Sequence, residues 1–70
     1  MNNVMISAEK MIAFLQDGLT RFMEEEKQFG MDDHGVRMHF SWLIGQKEMV
    51  ECLIGQPVNL QKDGKVTVGF

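Results

Sequence analysis

The sequence holds one cysteine, one proline and one tryptophan, and no tyrosine. A single cysteine, Cys52, excludes an intramolecular disulfide framework and any zinc cage built on thiolates. No apolar run approaches the eighteen or so residues that span a bilayer. The N-terminus, MNNVMISAEK, lacks the basic region and apolar stretch of a signal peptide. With one thiol and no targeting segment, the expected location is the cytoplasm, and no membrane contact is expected. Met1 and the lack of a tag read as a complete gene product.

Basic clusters are also missing. Lys10, Arg21, Lys27, Arg37, Lys47, Lys62 and Lys65 are spread along the chain and outnumbered by ten acids, giving a net charge of −3. The pI of about 5.2 argues against a phosphate-binding footprint. The seven glycines are scattered, and neither a P-loop nor a dinucleotide fingerprint can be drawn through them. The tetrapeptide Leu-Ile-Gly-Gln recurs at 43–46 and 53–56, a spacing that matches no solenoid repeat.

What is present is a modest apolar set. Leu, Ile, Val and Phe make up 20 of the 70 residues, which excludes the disordered class. The length allows one domain, 1–70. A domain of this size buries only about 60 % of the surface its unfolded chain exposes. Apolar burial at roughly 25 cal/mol per Å2 then nearly cancels conformational entropy. Small domains escape through disulfides, metals or oligomerisation, and here oligomerisation is favoured.

The pattern predicts an α+β domain: two helices followed by a C-terminal β-hairpin, with Val4–Ile6 as an optional short N-terminal strand. Ser7 suits an N-cap, and Glu9 suits the first turn. Met11, Ile12, Leu15, Leu19, Phe22, Met23 and Phe29 fall within about 60° of a line through Ala8, an amphipathic helix over 8–28 stopped by Gly30. Phe14 projects off that stripe and Glu26 falls within it. Glu24–Glu26 lie at the negative end of the helix dipole, so the last turn is expected to fray or to meet cations from elsewhere. Residues 30–35 form a connector in which Asp32 or Asp33 caps the next helix.

Residues 36–54 carry two readings. Val36, Met38, Phe40, Trp42 and Ile44 alternate with polar residues as in a strand over 36–44, which a short helix over 46–54 would follow. The favoured reading is one long helix. One stripe then collects Val36, Phe40, Leu43, Val50 and Ile54. A second collects Met38, Trp42, Met49 and Leu53, with Gly45 and Cys52 beside it. Gly55 and Pro57 supply the stop. In the hairpin, Lys62 and Asp63 suit a type I turn and Gly64 its left-handed bulge. That turn pairs Leu60 with Val66, Asn59 with Thr67 and Val58 with Val68, keeping apolar pairs on one face, which Phe70 continues.

Candidate chemistry is sparse. Asp32, Asp33, His34 and His39, with Cys52 further on, are the only polar constellation, and capping plus a solvated histidine explains them better than a metal site. His39 and Cys52 as base and nucleophile would sit roughly 20 Å apart on one helix. No catalytic, cofactor-binding or metal-binding residue is therefore expected, and the chain is read as a non-enzyme. The acids Glu24–Glu26, Asp32 and Asp33 read as a solvated helix end before they read as a docking patch.

The second stripe of the 36–54 helix is the informative feature. A helix in a two-layer domain needs one apolar face, and this one has two. Either the helix is wholly buried inside its own monomer, or the surplus forms a subunit interface. The interface is favoured: Met38, Trp42, Gly45, Met49, Leu53 and the leftover Phe14. The expected function is that of a small interaction or regulatory protein acting as a dimer, with a possible protein partner. Very small acidic proteins without site motifs suggest a phage or other mobile-element origin. The alternative is a nucleic-acid-binding regulator using Arg37, Lys62 and Lys65.

Overall fold

The computed structural model describes residues 7–69. Val4–Ile6 and Phe70, to which the sequence assigns strand and hairpin roles, lie outside the described residues. The elements are α1 (Ala8–Phe29), α2 (His34–Ile54), β1 (Val58–Leu60) and β2 (Val66–Val68), an α+β arrangement of two helices and a two-stranded antiparallel sheet.

Local chemistry sets each boundary. The Ser7 side chain accepts the Lys10 N–H at 3.2 Å and opens α1. At the other end the Gly30 N–H donates to the Glu26 carbonyl at 2.7 Å. Of the two candidate aspartates, Asp33 caps α2: its Oδ2 accepts the Val36 N–H at 3.1 Å. Gly55 ends α2 in the left-handed conformation, φ 71° and ψ 21°, and its N–H returns to the Glu51 carbonyl. Helix α2 is continuous from His34, which overturns the strand reading of 36–44. Its alternating pattern arises because the helix has apolar residues on two sides.

In the hairpin, the Gly64 N–H donates to the Gln61 carbonyl and the Gln61 N–H to the Lys65 carbonyl. Gly64 has φ 90°, as the bulge position requires. The register is Val58 with Val68, Asn59 with Thr67 and Leu60 with Val66, as the turn and the apolar pattern predict.

The core lies between the helix pair and the ribbon: Leu15, Leu19 and Phe22 from α1, Val36, Leu43 and Val50 from α2, and Val58 from β1. The helices approach closely at Gly18, where an added Cβ would stand 3.3 Å from Leu43 Cδ1. Two residues expected in the core-facing stripes are exposed, while Met11, Ile12, Met23 and Ile54 are half-buried at the margin of the core. Phe29, the last residue of α1, is 59 % exposed. Phe40 is 39 % exposed. Its ring tilts against Phe22 at 5.3 Å and borders a shallow groove beside Val58 and Leu60 instead of lying beneath them.

Two polar side chains fasten the ribbon. A two-stranded hairpin is marginal alone, and its outward N–H groups need partners. Glu51 Oε2 on α2 accepts the Val58 N–H at 2.7 Å and the Lys47 ammonium at 3.0 Å. Gln16 Oε1 on α1 accepts the Val66 N–H at 2.9 Å, and its Nε2 donates to the Gly64 carbonyl. Each strand is thus tied to one helix, β1 to α2 and β2 to α1.

Candidate interaction surface

The 100° step of an α-helix puts Val36, Leu43 and Val50 on one side of α2 and Met38, Trp42, Met49 and Leu53 on another. The first set is at most 3 % exposed. The second is 60 %, 46 %, 51 % and 64 % exposed, in that order. The ribbon covers only the core side of the helix pair. Among the described residues α2 is therefore not wholly buried inside its own monomer: the second stripe stays about half exposed or more.

Phe14 of α1 joins this surface. Its ring meets Trp42 edge-on, with centroids 6.0 Å apart and planes at 69°. Trp42 leans across Gly18, with Cζ3 3.8 Å from where a Cβ would stand. Beyond Trp42 the row continues through His39 and Phe22, each neighbouring pair of centroids 5.9 Å apart. Beside Phe14, an apolar groove of about 390 Å3 runs between the helices, bordered by Met11, Met49, Val50 and Leu53, with Lys10 and Gln46 at its rim. Gly45 lies exposed beside the stripe, midway along its length. All six residues assigned to an interface therefore lie on the outer side of the helices, and Phe14 and Trp42 touch.

The polar candidates do not assemble. His39 Nδ1 lies 2.8 Å from Glu25 Oε1, with the imidazole packed between Phe22 and Trp42. Glu25, near the C-terminal end of α1, is thereby paired with a side chain of α2, and α1 stays helical through Phe29. His34 is exposed in the first turn of α2, and Asp33 is engaged as its cap. Cys52 is a free, exposed thiol thirteen residues beyond His39 on the same helix, so the two cannot meet within the chain. Among the described residues no three His, Cys, Asp or Glu side chains converge on a common point.

The basic candidates share their surroundings with acids. Lys62 and Lys65 flank Asp63, whose Oδ1 accepts the Lys65 N–H at 3.0 Å. The groove beside this turn is bordered by Glu24, Glu26 and Asp63 as well as Lys27. Arg37 is exposed on α2.

Sequence reasoning passed over Gln16 and Glu51. The signal for Gln16 and Glu51 was their place at the margin of an apolar stripe. The Glu51 carboxyl is held below the usual carboxylate range first by the Val58 N–H and then by the Lys47 ammonium.

The fold and this surface define a two-layer α+β domain with an exposed apolar helix face. No family model matches the chain, and no curated protein or solved structure shows significant similarity to it. No described helix is long and apolar enough to cross a membrane.

Proposed function

We propose that the chain is a non-enzymatic interaction or regulatory protein that works as a self-associated dimer through the outer face of α2 and Phe14 of α1. One observation carries this reading. Phe14, Met38, Trp42, Met49 and Leu53 are each about half exposed or more and lie along one side of the helix pair. Water contact with large apolar surface is unfavourable, and such patches mark interaction sites. Trp and Met are favoured in interface cores, where Trp anchors and Met fills irregular gaps. A cytoplasmic setting suits an exposed, unpaired Cys52. The sequence's small size, acidity and lack of site motifs suit an accessory gene of a phage or other mobile element.

The test is hydrodynamic. Met49→Glu puts a charge in the centre of the face at a side chain the fold leaves exposed. Wild type is expected to sediment as a dimer at micromolar concentration and Met49→Glu as a folded monomer. A wild type that stays monomeric at high micromolar concentration would sink the proposal.

A further inference from the structure

Among the described residues neither packing nor backbone conformation requires a glycine at position 45. It sits mid-helix, where glycine is the poorest former after proline. Its φ is not positive, and a Cβ built there would meet nothing within 4 Å. Gly18, by contrast, is explained by the closeness of Leu43. A missing side chain beside an exposed apolar stripe allows another backbone to approach at that point.

The stripe is also self-complementary about Gly45. Trp42 lies three residues before it and Met49 four after; Met38 lies seven before it and Leu53 eight after. We infer that two copies of α2 cross antiparallel at Gly45 about a two-fold axis, with Trp42 of each copy set against Met49 of the other and Met38 against Cys52 and Leu53. The inference rests on the self-association proposed above and adds its geometry.

The spacing of four, three and four from Met38 to Met49 is a heptad seam, which packs at a shallow angle of about 20°. This register lays the Trp42 of the second copy over the groove beside Met49 and Phe14. A tryptophan filling an apolar groove is the usual form of an interface anchor. The area suffices for a second copy. Five large side chains at about half exposure present roughly 100 Å2 each, judged from what an aromatic side chain buries when covered. Together with Gly45, Gln46 and the Lys10 stem they come to about the 600 Å2 per partner at the low end of stable interfaces.

The native thiol reads the register. In the antiparallel crossing the two Cys52 residues stand about 20 Å apart, while each faces Met38 of the other copy. Wild type and Met38→Cys are oxidised, separated by size under non-reducing conditions and mapped by peptide mass. The expected result is no covalent dimer from wild type, and from Met38→Cys a covalent dimer in which position 38 is joined to position 52. Within one chain those positions are about 20 Å apart on one helix and cannot be bridged.

Linkage of 52 to 52 or 38 to 38, or no linkage in a Met38→Cys protein that sediments as a dimer, overturns the antiparallel crossing and leaves self-association standing. Monomers of both proteins overturn self-association itself. Gly45→Leu supplies a second reading of the crossing point. Its helical circular dichroism should be unchanged and its dissociation constant should rise at least tenfold; an unchanged dissociation constant contradicts close approach at Gly45.

Discussion

Two side chains outside the core decide whether the ribbon stays on the helices. Gln16 offers both ends of its amide to the hairpin, to the Val66 N–H and to the Gly64 carbonyl. Gln16→Ala leaves both groups without those partners, and a partly buried polar group so orphaned costs about 1–3 kcal/mol. Urea unfolding of the monomeric protein should show that loss. Glu51 does the same for β1, as a carboxylate whose proton affinity is lowered by the Val58 N–H and then by Lys47. A carboxyl with a lowered folded-state pKa stabilises the fold above its unfolded-state pKa, and that contribution disappears as pH falls through the folded-state value. Glu51→Gln should therefore be less stable than wild type at neutral pH, and the gap between their thermal midpoints should close on acidification. Parallel pH profiles would show that the charge of Glu51 does not hold the strand.

Helix α2 does two jobs with two faces, and substitutions on them should differ sharply. Leu43 is fully buried, so Leu43→Ala should cost about 2–5 kcal/mol by chemical denaturation. Met49 is half exposed, so Met49→Ala should change monomer stability by no more than about 0.5 kcal/mol. Much of this layout was legible in the sequence. Helix α1 followed from its apolar period and Ser7, and the hairpin register from the agreement of Lys62-Asp63-Gly64 with the paired valines. The second stripe of α2 was legible too, but whether the monomer covers it depends on which side of the helix pair the ribbon takes. The alternation through Val36–Ile44 mimics a strand because Phe40 and Ile44 face the ribbon side while Met38 and Trp42 face outward. The clamp of Gln16 was not legible: its partner Val66 lies fifty residues away, and only the packed fold says which strand edge meets α1.

The whole molecule is thin. Its Cα atoms span 45 × 29 × 15 Å, and their radius of gyration is 13.2 Å against about 11 Å for a compact chain of this length. Fifteen ångströms accommodates a helix layer and a ribbon and no third layer. A chain with 44 % apolar residues in so flat a body leaves apolar side chains outside, and among the described residues five of the nine large ones, Phe14, Met38, Trp42, Met49 and Leu53, share the outer face of the helix pair. A two-fold pairing of these faces turns two thin domains into a thicker one with a shared core, which relieves the shortage of burial in a small domain. Sedimentation equilibrium of wild type from low to high micromolar concentration, with Met49→Glu as control, tests this most directly. The predicted result is a reversible monomer–dimer equilibrium that the substitution abolishes without loss of helical signal; a single monomeric species across the whole range, for both proteins, would contradict it.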